Sequence, residues 1–143
     1  MKKILIVILI LLFCFLLSII MLYTNYKSSQ RQTQKHNQYY ENYFQKEVYG
    51  TDVATIINKA IDNNEKNHVP KNDQGIYQNN GQSSIQIELK FIDSDDTYSF
   101  EVIYNMGIAE FVFNFNVMKF KCTKMDYHEQ TGQISYMYFE EIL

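Results

Sequence analysis

The sequence predicts an α+β fold: an N-terminal transmembrane helix extending into a helical stalk, then a second amphipathic helix packed on a four-stranded antiparallel sheet. Three observations predict it. Ile4–Leu22 is an apolar run of nineteen residues broken only by Ser18. Val53, Ile56, Ile57, Ala60 and Ile61 recur at i, i+3, i+4, i+7 and i+8, the spacing of one helix face, and so form the face expected to pack on the sheet. Residues 85–104 and 118–139 largely alternate apolar and polar side chains, as half-buried strands do.

The apolar run comes first. At the helical rise it spans roughly 28 Å, the thickness of a bilayer's hydrocarbon core. Ile4, Leu5, Phe13 and Leu22 mark its extent as the expected membrane anchor. A cleavable secretory signal has a shorter apolar core and a small-x-small cleavage site. Here the exit reads Ile20-Met21-Leu22-Tyr23-Thr24-Asn25-Tyr26, with no Ala-x-Ala pattern. Tyr23 and Tyr26 suit the headgroup level. Phe13 precedes Cys14, where lipoprotein chemistry wants a small residue, so Cys14 reads as a small apolar side chain. Lys2 and Lys3 on a very short tail favour a cytoplasmic N-terminus, against the opposite pull of Lys27, Arg31 and Lys35. The expectation is a single-pass protein of the cell membrane with an extracytoplasmic C-terminal domain.

The organisation is then 1–23 anchor, 24–49 helical stalk and 50–143 α+β domain. The stalk contains no Gly or Pro, and Tyr40, Tyr43, Phe44 and Glu47/Val48 fall at helical spacing; a flexible polar linker over 24–38 is the alternative. Gly50-Thr51-Asp52 punctuates, with Thr51 or Asp52 placed to cap the next helix. That helix should fade at Asn63-Asn64, and the polar 63–82 segment reads as an exposed loop containing Pro70. Ile85, Ile87, Leu89 and Phe91 form one strand, Asp93-Ser94-Asp95-Asp96 a turn, and Tyr98, Phe100, Val102 and Tyr104 its hairpin partner. After the break at Asn105-Met106-Gly107, Ile108–Asn116 reads as a short helix, although Phe111, Phe113 and Phe115 also fit a strand. A second hairpin pairs Met118–Tyr127, with Met118, Phe120 and Cys122 on one face, to Ile134–Phe139 across a turn at Glu129-Gln130-Thr131-Gly132.

Composition narrows the function classes. Twelve Tyr and ten Phe in 143 residues, with one Pro and no Trp, supply a core and exclude disorder. Beyond Lys2 and Lys3 the chain carries 11 basic and 16 acidic residues, a net of −5, which argues against nucleic acid. Cys122 is the only cysteine after the apolar run, so the domain has no internal disulfide.

No catalytic, cofactor or metal constellation emerges. His36, His68 and His128 lack ligand spacing and read as surface residues. Counting an EF-hand from Asp93 puts Tyr98 and Tyr104 where Gly and Glu are needed. Cys122 and His128 lie about 20 Å apart along a strand, too far for a thiol and its base. Asp62, Glu65, Glu140 and Glu141 show no partner pattern, and Phe111–Phe115 reads as core, or as a partner-binding patch if part is exposed. The chain is therefore expected not to be an enzyme. Its partners are expected to be the lipid bilayer and other proteins.

Taken together, Ile4–Leu22, its helical continuation to Val48 and the strands from Ile85 to Phe139 resemble the type IV pilin and pseudopilin family. The resemblance is one of architecture: in that family an N-terminal apolar helix runs into a domain and packs on a four-stranded antiparallel sheet. The family's processing motif is absent, since neither Gly nor Glu occurs before residue 41. The resemblance implies a structural or interaction protein, a subunit of an envelope or secretion assembly. The alternative is a membrane-anchored small-ligand-binding or sensory domain, with a pocket between the sheet and the Val53–Ile61 helix.

Overall fold

The computed structural model describes residues 2–143, which fall into two compact units, one ending at Lys35 and the other covering His36–Leu143. The first unit is helical throughout and belongs to α1 (Lys2–Glu41). Ile4, Leu5, Phe13 and Leu22 are each more than half exposed, and none of the most apolar stretch is covered by protein. Its only polar side chain is satisfied internally: the Ser18 hydroxyl donates to the Phe15 carbonyl at 2.7 Å. The helix is long and apolar enough to cross a membrane, and it fits a transmembrane or signal-anchor helix.

The second unit holds the end of α1, then β1 (Glu47–Tyr49), α2 (Gly50–Lys66), β2 (Gln86–Lys90), β3 (Thr97–Ser99), α3 (Phe100–Met106), α4 (Ile108–Phe115), β4 (Lys119–Tyr127) and β5 (Ile134–Ile142). The fold is α+β, but the sheet is not the four-stranded antiparallel one expected. It has five strands in the order β1-β4-β5-β2-β3, and β2 runs parallel to β5. The parallel pair arises because α3 and α4 intervene between β3 and β4, so the chain re-enters the sheet beyond β5 instead of beside β3. The register sets Ile87 beside Met137 and Leu89 beside Phe139, which aligns the apolar faces.

The stalk expectation fails at its end. The α1 helix stops at Glu41, Gln45 adopts φ 59°, and Glu47–Tyr49 pairs with Lys119–Lys121 as an edge strand. Helical spacing of Tyr40, Tyr43 and Val48 is overridden there by tertiary pairing. The second strand of the first expected hairpin also shortens. Only Thr97–Ser99 pairs with β2, and Phe100–Met106 is helical. Phe100 and Ile103, three apart, are buried, while Val102 and Tyr104 are exposed; period two would have buried Val102 instead. Gly107, at φ 110°, separates α3 from α4, a conformation open chiefly to glycine. The short helix expected over Ile108–Asn116, against a strand alternative, is the helix α4, Ile108–Phe115.

Helix α2 starts one residue before Thr51, so neither Thr51 nor Asp52 is its cap; instead the Asp52 carboxylate accepts the Tyr49 N–H at 3.1 Å. Val53, Ile56, Ile57, Ala60 and Ile61 are all buried, and α2 packs on α4 and on the sheet. The helix does not fade at Asn63-Asn64 but runs to Lys66. Asn64 is fully buried: its Oδ1 accepts the Ile85 N–H and its Nδ2 donates to the Ile85 carbonyl, both at 2.8 Å. A polar residue thus extends the helix because its amide replaces a strand partner for Ile85. The 63–82 segment is also less exposed than it reads, since Val69 and Tyr77 are in the core.

Two substitutions test this packing by far-UV circular dichroism during urea unfolding of the full chain in detergent. Asn64→Ala leaves both polar groups of Ile85 unpaired in the core and is expected to cost about 2–4 kcal/mol. A Cβ on Gly50 would run into the Phe115 carbonyl, where backbone faces backbone, so Gly50→Ala is expected to cost roughly 1–3 kcal/mol. Wild-type stability in either variant contradicts the account.

Candidate functional site: an apolar cleft at the end of the sheet

Three inward-facing stripes cross the covered face of the sheet: Ile87-Leu89-Phe91, Met118-Phe120-Cys122 and Met137-Phe139-Glu141. Their first two or last two members are buried in the core. The stripes end together, on Phe91, Met118 and Glu141, which are half-buried and line one cleft of about 290 Å³. Ile103 and Met106 of α3, Phe115 of α4 and Tyr98 of β3 close its sides, and Asp93 and Ser94 of the β2–β3 turn form its rim. The wall is aromatic: the Phe91 ring lies 5.6 Å from Tyr98, 5.1 Å from Phe115 and 5.7 Å from Phe120. Such a cavity, apolar with few polar groups, is what a small-molecule site requires.

The polar groups are few and specific. Glu141 Oε2 accepts the Ile92 N–H at 3.0 Å; among the described residues nothing donates to Oε1. Ser94 Oγ and Tyr98 OH are 3.3 Å apart. No Lys, Arg or His lines the cleft.

No family model, curated protein or solved structure matches this chain.

The other sequence candidates lie elsewhere. Cys122 is buried, burial pushes its thiol up to about 11, and its Sγ contacts the Lys124 carbonyl at 3.5 Å. His128 is not a surface residue: it is buried with Nε2 2.7 Å from the Ser84 carbonyl, tying the β4–β5 hairpin to the strand entry at Ile85. The structure does not bring Cys122 and His128 together as an acid–base pair. His68 is exposed. Among the described residues no group of His, Cys, Asp and Glu converges as a metal site. In α4 the run Phe111–Phe115 splits as a helix must: Phe111 is buried, Phe115 half-buried and Phe113 83% exposed, so Phe113 is not core.

Sequence reasoning set Glu141 aside with Glu140 as an unpartnered carboxylate. A signal was present: Met137 and Phe139 continue with period two to Glu141, placing a charge where the alternation calls for an apolar side chain.

A second, polar notch of about 230 Å³ lies between the last turns of α1 and α2, lined by His36, Tyr40, Lys59, Asp62, Asn63 and Lys66. Lys59 Nζ sits 4.6 Å from the centre of the Tyr39 ring, a cation–π contact. Burial, and then the Lys59 charge, lower the His36 pKa from 6.5; burial raises that of Tyr40. His36 therefore binds its proton less tightly in the folded than in the unfolded chain. The stability this contributes is complete above pH 6.5 and is lost as pH falls through that value toward the lowered one. Urea midpoints measured from about pH 7 to about pH 5 are expected to fall more steeply for the wild type than for His36→Gln. Parallel curves would remove His36 from the acid sensitivity.

Proposed function

We propose that this chain is a single-pass membrane-anchored binding protein without catalytic activity, whose C-terminal domain takes a small apolar ligand in the cleft at the end of the sheet. The observation that carries the reading is the cleft itself. Nine side chains from two strands, two helices and the segments that flank them converge on it, whereas the one domain cysteine and the histidines are engaged or sited elsewhere. The apolar helix supports the anchor; the lysines at its start favour an extracytoplasmic domain.

A second reading, an interaction subunit of an envelope assembly with a pilin-like role, is favoured by Phe113 and Val117. These stand 83% and 78% exposed at the end of α4, more than the domain's other large apolar side chains short of its terminus.

Thermal melts of the full chain against a panel of one- and two-ring aromatic compounds test the first reading. Ligands are expected to raise the wild-type midpoint by several degrees at saturating concentration. Met106→Trp, which fills the cleft from a lining position 46% exposed, is expected to abolish the rise while folding normally by circular dichroism. A panel that leaves the wild type unmoved, or shifts the filled variant equally, rejects the cleft as the site.

A further inference from the structure

The cleft's polar groups restrict its ligand further, on the reading that it is a ligand site. Glu141 occupies an inward-facing position of β5, the central strand of the sheet, in line with the fully buried Met137 and Phe139. A carboxylate turned toward an apolar wall is unfavourable unless its charge is compensated. One oxygen is held by the Ile92 N–H; the other accepts from none of the described residues. Asp93 brings a second carboxylate to the rim. Neither takes part in the ion pairs of the domain, which are Lys119–Glu47 and Lys124–Asp126. With no basic side chain in the lining, nothing inside the cleft balances this negative charge.

We propose that the cleft selects small organic cations: a primary ammonium on an aromatic or branched aliphatic body. The ammonium donates to Glu141 Oε1 and the body lies against Phe91, Tyr98 and Phe115. The three rings pack on the body of amine and neutral isostere alike, so the preference for the charged form rests on the hydrogen bond to Glu141. An anionic ligand of the same shape meets two carboxylates and is rejected by like-charge repulsion. The volume, about 290 Å³, is at the small end for ligand pockets, so the body is of one-ring size and a folded partner does not enter.

Met106 and Met118 line the cleft, so methyl-labelled methionine NMR of the full chain in nanodiscs reports on the site itself. The probes are phenethylamine, phenethyl alcohol and phenylpropionate. Phenethylamine is expected to shift both methyl signals with a Kd about tenfold below that of the alcohol, the increment of one charge-assisted hydrogen bond, and phenylpropionate to bind weakest. Glu141→Gln retains an acceptor for the Ile92 N–H. It is expected to bring the amine to the level of the alcohol and to leave the Kd of the alcohol unchanged. Asp93→Asn, at the exposed rim, is expected to have a smaller effect in the same direction. Equal affinity for amine and alcohol in the wild type, or a preference that survives Glu141→Gln, overturns the cation proposal while the apolar ligand site stands. If no probe moves Met106 or Met118, both readings fall.

Discussion

Ile87 lies beside Met137 and Leu89 beside Phe139 because β2 and β5 run parallel, and the rest of the domain depends on that pairing. It joins the β2–β3 pair to the β4–β5 hairpin, which otherwise have no shared backbone hydrogen bonds. It also brings three inward stripes into line, so that they end at one place. A one-residue slip would turn Met137 and Phe139 outward and move Glu141 off the covered face. The covering layer follows from the same pairing. Helices α3 and α4 fill the connection between β3 and β4, and α2 packs across α4 and the sheet. The buried amide of Asn64 then pins α2 to Ile85 at the strand entry.

Much of this was legible in the sequence, for physical reasons that can be named. The Ile4–Leu22 run is longer than a soluble helix needs and contains one polar side chain. The Val53–Ile61 stripe matches the helical period at every position, and its members are buried. Alternation located β2, β4 and β5. What failed were the places where long-range pairing competes with local pattern. Val48 fits a helix by spacing, but β4 offers its backbone a partner. Phe100 fits both a strand and a helix, and only the burial of Ile103 three residues on decides between them. The parallel order of β2 and β5 leaves no trace in composition, since a central strand and a half-buried one look alike over five residues.

The site was less legible than the fold. Its apolar lining came from residues already assigned to strands and helices, and no motif joins Phe91, Met106 and Glu141 in sequence. Only Glu141 departs from its local pattern, and the departure is visible only once β5 is extended beyond Phe139 to Ile142. Asn64 and His128 give the same lesson from the structural side. Both are polar residues that read as surface, and both are buried with backbone partners of 2.7–2.8 Å around Ser84 and Ile85.

The two outermost strands, β1 and β3, are three residues each. A neighbouring molecule therefore finds about 10 Å of unpaired backbone at either border of the sheet, too little to template a further strand. Continuous cross-chain sheets are closed to this domain. Contact between copies is then left to side chains and to the apolar N-terminal helix, and such contacts can come apart and re-form without unfolding the chains that make them.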